Sequence, residues 1–424
     1  MHAAPTFPSL FRIRQRFQSP EIADVEAATH HALASTDLAE RIKPGDTVAI
    51  TAGSRGIAGI DVILRSVVAH LRMLGAEPFI VPAMGSHGGG TAEGQLGVLR
   101  RLGITEEACG CSIRASMETV VVSRAPEGFD VHFDKHASTA DHVLVCGRVK
   151  PHTRFTGALE SGLMKMLLIG LGKHEGAKIY HRAIVDYSFD QIVRSVGREV
   201  LEKCRICAGL AIIENAHDRT ALIEAVPPEK FETREPELLD LARGWMARLP
   251  IQRADVLVMD QIGKDLSGAG MDSNVIGRKT TDHDPGEKEF PKIKRICVRG
   301  LSPGTHGNAT GIGIAEFCLT RAIEQMDVRM TRINCLTGSH PTAAMSPLDY
   351  ATDREMLTAA FSTLGLVEPA QTGLVWIPNT LHLEILELAA CYWPELSQRE
   401  DIEVLCEPRP IPWQGDMLPD GHFA

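Results

Sequence analysis

Three loops in the first 160 residues each carry one side chain suited to binding or proton transfer: Arg55 in Gly53-Ser54-Arg55-Gly56, His87 in Gly85-Ser86-His87-Gly88-Gly89-Gly90, and His152 in Lys150-Pro151-His152-Thr153. Each follows a short β-branched run, and in open α/β sheets ligands sit at the carboxyl ends of strands. An arginine there suits a carboxylate held bidentately, and two histidines suit proton transfer on the two faces of a substrate. The backbone around Ser54, Gly85 and Gly88 can approach a phosphate or carboxylate closely. Taken singly, each residue also has a plain reading: a histidine in a glycine loop stabilises a turn, and an arginine after a strand is solvated. Three at equivalent topological positions point to a site.

A fourth element is Lys165, a single cation inside the otherwise apolar stretch from Leu163 to Leu171. Burying an ammonium costs several kcal/mol unless it is paired or neutralised. Lys165 is therefore either a lysine snorkelling from a helix end or a neutral amine able to form a covalent link. Downstream, His174 and His181 lie seven residues apart, near one face if the stretch is helical. His181 is a candidate soft-metal ligand, although no complete ligand set such as H-E-x-x-H accompanies it. The chain has no G-x-x-x-x-G-K-[ST], no strand-bound G-x-G-x-x-G and no G-x-S-x-G. P-loop, dinucleotide-binding and α/β-hydrolase chemistry thus lose their usual support.

Gly53-Ser54-Arg55, Met84-Gly85-Ser86-His87-Gly88-Gly89, Val149-Lys150-Pro151-His152-Thr153 and Glu160-Ser161-Gly162-Leu163-Met164-Lys165 resemble the nickel-dependent lactate racemase family across the N-terminal half. The resemblance implies that Arg55 holds a substrate carboxylate and that His87 and His152 exchange the hydroxyl proton. It further implies that Lys165 is joined covalently to a nickel-pincer nucleotide, a pyridinium thioamide/thiocarboxylate mononucleotide, whose nickel is also bound by His181. The separation of sixteen residues between Lys165 and His181 agrees with that family's attachment-to-ligand spacing. Ser54, Gly85, Gly88 and Asp272 are the further residues expected around the cofactor. The implied reaction is racemisation or epimerisation of a 2-hydroxy acid by reversible hydride transfer, and the implied partners are accessory cofactor-biosynthesis proteins. Where the family carries a glutamine and a lysine after its acidic loop, this chain has Gly277 and Thr280, with Arg278 or Lys279 as substitute cations. A cation displaced by one or two helical positions points elsewhere, so the expected substrate is a 2-hydroxy acid other than lactate. Two other readings stand beside it: a metabolite-binding or regulatory homologue without cofactor, and a cofactor-free lyase or hydratase acting on sugar acids.

The elements that must position these residues follow from periodicity. Short runs at 47–51, 77–82 and 141–145 read as strands, with helices over 60–74 (apolar face Ile63, Val67, Leu71, Leu74) and 91–102 (Thr91 as N-cap). A strand at 254–259 opens a second half with strands at 294–298, 332–336, 373–377 and 402–406, a helix at 313–322, and a helix after the capping box Thr352–Glu355. The expected fold class is α/β: two Rossmann-like domains with mostly parallel sheets, 1–250 catalytic and cofactor-binding, 251–424 closing the substrate site, and an active-site cleft between them. His306 and Asn308, in the polar segment 302–313, are either cleft residues or turn stabilisers.

Composition agrees with a protein of this class. The 424 residues are 44% hydrophobic and 23% charged, which excludes a disordered or fibrous chain. The net charge of -10 would repel a phosphate backbone, so no nucleic-acid partner is expected. No apolar run approaches the roughly 20 residues of a bilayer span, and the first residues lack signal-peptide order, so a cytoplasmic location away from membranes is expected. The ten cysteines are scattered, and Cys204-Arg205-Ile206-Cys207 has no second pair or nearby histidine to complete a zinc site, so core packing is expected.

Overall fold

The structure, a computed structural model, describes residues 7–423. The chain enters through strand β1 (Leu10–Gln15) and then builds β2 (Thr47–Ala52), β3 (Glu77–Pro82), the hairpin β4 (Thr119–Arg124) and β5 (Asp130–Asp134), β6 (His142–Arg148), β7 (Ile206–Glu214) and β8 (Thr220–Val226). It continues through β9 (Arg253–Met259), β10 (Lys292–Val298), β11 (Phe317–Leu319), β12 (Leu348–Tyr350), β13 (Leu374–Ile377), β14 (Ile385–Ala389) and β15 (Ile402–Arg409). Two compact units result: Gln18–Met246, and the N-terminal residues up to Phe17 together with the chain from Ala247 onward. The division near residue 250 is accompanied by an exchange that local patterning did not indicate. β1 pairs antiparallel with both β14 and β15, so the first strand belongs to the sheet of the C-terminal unit.

In the unit Gln18–Met246 the sheet order is β3-β2-β6-β7-β8, parallel except for the last pair. Both faces are covered, which is why these strands read as continuous apolar runs. Val48 and Ile50 pack into one cluster with the helix Ile60–Met73, while Ala49 packs into the other with the helix Phe189–Lys203. From β2 the chain crosses to β3 on one side and later returns to β6 on the other. The carboxyl ends of β2 and β6 therefore flank a topological switch point, where a crevice forms in such sheets. The other unit holds a sheet ordered β12-β11-β10-β9-β13-β14-β1-β15, parallel from β12 to β13 and antiparallel beyond. Both units are thus α/β with mostly parallel strands, as expected.

Two expected elements of the C-terminal unit are replaced. The helix anticipated over 313–322 is instead the short strand β11 followed by the helix Thr320–Glu324. The strand anticipated over 332–336 lies within the helix Val328–Thr337, whose N-cap Asp327 accepts the Met330 N–H at 2.8 Å. That helix is largely exposed, so its few apolar residues carry no clear period. The capping box at Thr352 and Glu355 and the N-cap at Thr91 form as expected.

Glu387 ties the exchanged strand to its sheet. Its fully buried carboxylate accepts from Arg12 at 3.0 Å, Arg409 at 2.7 Å and His422 at 2.8 Å. Although burial opposes ionisation, bonds from His422, Arg409 and Arg12 hold its pKa down at about 2. Glu387→Gln leaves two arginines short of a counter-charge and is expected to destabilise the unit by about 3–5 kcal/mol at neutral pH. A carboxylate with a depressed folded-state pKa contributes stability above its unfolded value and loses it as pH falls through the folded one. In urea melts the gap between parent and variant should therefore shrink below about pH 4 and close near pH 2.

Candidate active site

Three loops at the carboxyl ends of β2, β3 and β6 deliver Arg55, His87 and His152, each within five residues of its strand. The helical segment that carries Lys165 packs beneath them. It starts at Leu163, where the buried Glu235 accepts the Met164 N–H at 2.9 Å and caps the first turn. The carboxyl of Glu235 is pushed up to about 7 by burial, against the pull of those backbone N–H groups. From Met166 to Gly170 the helix widens, with the Leu171 N–H bonded to the Met166 carbonyl five residues back at 2.9 Å. Such π-type turns recur at functional sites because they re-aim neighbouring side chains. At Lys173 the backbone flips to φ 55°, and the helix Lys173–Asp186 leaves in a new direction carrying His181.

Phe155 is where these pieces meet. Its ring stacks on His152 at 4.2 Å between centroids and on Phe189 at 4.0 Å, lies 6.2 Å from the His181 ring, and sits 5.6 Å from the Lys165 Nζ. The His152 loop is anchored by the buried Glu160, which accepts the His152 backbone N–H at 2.7 Å and pairs with Arg243 at 2.9 Å. His87 stands beside Ser54, whose Oγ is 3.1 Å from its Nδ1.

The two histidines carry their protons on opposite nitrogens. His87 Nδ1 lies 2.8 Å from the Met84 carbonyl, which can only accept, so Nδ1 is protonated and Nε2 holds the lone pair. His152 Nδ1 accepts the backbone N–H groups of Arg154 at 3.1 Å and Phe155 at 3.0 Å, so in the neutral ring the proton sits on Nε2. One ring thus presents a lone pair at Nε2 and the other a hydrogen-bond donor.

Charge in the site is unbalanced toward the positive. The Arg55 guanidinium forms no ion pair among the described residues, and its proton affinity is lowered by partial removal from water and by Arg148. Arg148 itself is paired with Glu214. The half-buried Lys165 amine is brought down to about 7 by desolvation first and then by Arg55 and Arg148, with Glu160 opposing. His181 is likewise shifted down, by burial and by Lys165. A cluster with more cations than carboxylates is a seat for an anion, and an amine with a pKa of about 7 is about half deprotonated at neutral pH and can act as a nucleophile.

The remaining sequence candidates have structural duties. Gly85 (φ 58°) and Gly88 (φ 67°) let the protein's own backbone close up: a Cβ on Gly85 would lie 3.0 Å from Ile169 and one on Gly88 2.5 Å from Gly94. Asp272, in the other unit, caps the turn Ser273–Ile276 by accepting the Asn274 N–H at 2.9 Å. Arg278 is corrected as a substitute substrate cation: it is fully buried, bound to Glu316 at 2.8 Å and to the carbonyls of Ile314, Ile293 and Lys294. Asn308 caps its own turn through Thr310 at 2.7 Å, and His306 is an exposed residue with φ 50°. His174 lies against the glycine loop, its Nδ1 3.5 Å from a Cβ built on Gly90, rather than beside Phe155. Phe155, Arg148 and Glu235 were not singled out by sequence; Arg148, directly before Val149, and Phe155, three residues after His152, stand close to a motif, and Glu235 does not.

An arginine, two histidines with complementary tautomers and a lysine of lowered pKa thus gather around the strand ends of one α/β unit. Residues 11–190 match the family described as lactate racemase N-terminal domain. Among solved structures, the lactate racemase apoprotein from Thermoanaerobacterium thermosaccharolyticum aligns with a TM-score of 0.56 at 13% identity, covering 88% of this chain and 98% of that one. A Thermotoga maritima protein from a structural genomics programme aligns with a TM-score of 0.47 at 12% identity, covering 76% and 80%. No curated protein matches the chain in sequence. Among the described residues no helix is long and apolar enough to cross a membrane, and all ten cysteines are unpaired thiols.

Proposed function

We propose that the protein is a racemase or epimerase of a 2-hydroxy acid other than lactate, an isomerase using a nickel-pincer nucleotide joined to Lys165. The observation that carries this reading is the Lys165 amine itself: half-buried, beside Arg55, Arg148 and His181, and with a pKa of about 7. Those residues fit the group. Lys165 supplies a nucleophilic amine for attachment, and His181, kept unprotonated by its surroundings, supplies a nitrogen donor for nickel. Among the described residues no three histidine, cysteine or acidic side chains cluster as a self-sufficient metal site, so a nickel ion here relies on donors of the nucleotide as well. When bound, the group supplies a reversible acceptor for hydride from C2.

The chain's own residues do the rest. Arg55 receives the substrate carboxylate and fixes its orientation. Nε2 of His87 takes the hydroxyl proton and returns it to the oxygen when the 2-keto acid is reduced again, while Nε2–H of His152 donates a hydrogen bond to the substrate oxygen and holds it in place. Ser54 and the Met84 carbonyl hold the His87 tautomer, and Glu160 holds the His152 loop. Maturation calls for accessory cofactor-biosynthesis proteins.

The test is co-expression with those proteins, followed by chiral chromatography of a panel of 2-hydroxy acids and the intact mass of the purified chain. Interconversion of one pair of enantiomers or epimers, with the added mass on Lys165, is the expected result. An unmodified chain from a host that makes the cofactor would sink the reading. In the same assay Arg55→Leu removes charge-assisted hydrogen bonds of about 1.5–3 kcal/mol, so KM for the active acid should rise about 10- to 100-fold.

A further inference from the structure

The loop that carries His87 is held from inside by a buried polar chain. Gln95 Nε2, on the helix Ala92–Arg101, donates to the Gly85 carbonyl at 2.9 Å and toward the His87 carbonyl at 3.4 Å. Its Oε1 faces the Lys173 Nζ at 3.5 Å. Lys173 donates to the Pro82 carbonyl at the end of β3 at 2.6 Å and pairs with Asp134 at 2.9 Å. Asp134 closes the chain by accepting the Ala137 N–H at 2.8 Å. Gln95, Lys173 and Asp134 are all fully buried. A buried lysine–aspartate pair gains little stability over an apolar pair of the same shape. Its location suggests what it does: Lys173 is the left-handed residue at which the helix of Lys165 turns into the helix of His181. One ammonium thus ties that turn to the end of β3 and to the residue gripping the His87 loop.

We propose that Gln95 is a positioning residue for His87: anchored by the Lys173–Asp134 pair, its amide holds the loop Met84–Gly90 so that the imidazole keeps its Nδ1 proton on the Met84 carbonyl. The inference rests on the reading of His87 as a proton-transfer residue, since only there does the tautomer matter.

The test is long-range proton–nitrogen NMR of histidine-labelled full-length protein, with His87→Gln used to identify the His87 signals. In the parent, His87 should show one neutral tautomer protonated on Nδ1. Gln95→Glu keeps the size of the side chain and gives Lys173 a carboxylate partner, but removes the donor to the loop carbonyls. In that variant, and in Gln95→Leu, the His87 signals should move to a mixture of Nδ1–H and Nε2–H, while the His152 signals stay in place. A folded Gln95→Glu protein whose His87 signals match the parent would overturn the proposal, as would equal movement of His87 and His152, which marks general loosening. The spectrum needs neither substrate nor cofactor, so failure of the racemase reading and failure of the brace are separate outcomes.

Discussion

Lys165→Ala, produced alongside the cofactor-biosynthesis proteins, is expected to fold, to retain no covalent adduct or nickel, and to racemise nothing. The expectation of folding follows from electrostatics. Desolvation and the charges of Arg55 and Arg148 disfavour the Lys165 ammonium, and its folded-state pKa of about 7 lies well below the ordinary lysine value. A lysine depressed in this way binds its proton less readily in the folded than in the unfolded chain. The folded state therefore gains stability as pH rises from about 7 toward the unfolded lysine value near 10.4, and the charged form is a burden below pH 7. Alanine relieves that burden, so the variant should be at least as stable as the parent below pH 7, by thermal melts across pH.

A second readout reaches the same residue without turnover. Acylation of Lys165 in the apo chain, followed by peptide mass mapping, should accelerate with pH to an inflection near 7, well below the value near 10.4 of an ordinary lysine. Full activity and nickel retention in Lys165→Ala would remove the covalent cofactor from the account. A parent chain with neither adduct nor nickel would instead leave the cofactor-free lyase or hydratase and the metabolite-binding homologue, of which only the first turns substrate over.

His87→Gln and His152→Gln should each lower kcat by about 10²–10⁴-fold, the range for removal of a positioned general acid or base. Neither should destabilise the fold much, since His87 is exposed and its ring is held chiefly by the Met84 carbonyl and Ser54. His152→Gln should show the larger structural effect, because Nδ1 accepts two backbone N–H groups and the ring stacks on Phe155. Running the reaction in deuterium oxide adds a discriminating observation. If the histidines move only the hydroxyl proton, the product retains its C2 hydrogen. Deuterium at C2 would instead mean that a histidine removes the carbon-bound proton directly, which is lyase or proton-transfer racemase chemistry. Loss of less than about tenfold in both variants would deny the pair any catalytic part.

The sequence by itself determined the local features of this protein. The strands that end before Arg55, His87 and His152 are runs of β-branched and apolar residues buried on both faces, and such runs are visible within half a dozen positions. The caps at Thr91 and Thr352 are likewise local, since the side chain and the N–H it accepts lie three residues apart. The isolation of Lys165 among apolar neighbours was legible for the same reason. What the tertiary structure alone decided are matters of long-range partnership. β1 leaves its neighbours in sequence for β14 and β15, nearly four hundred residues on, where Leu10, Phe11 and Ile13 are fully buried and Arg12 meets Glu387. Arg278 reads as a substitute cation but is consumed by Glu316 and four carbonyls, those of Asp282, Ile293, Lys294 and Ile314. Glu235 caps the Lys165 helix from 71 residues away, and Lys173 reaches back 91 residues to the end of β3. Hydrophobic periodicity reports which face of an element is buried, not what it is buried against. The amine of Lys165 and the brace through Gln95 are set by such distant partners, whereas the tautomers of His87 and His152 are set by backbone groups two or three residues away.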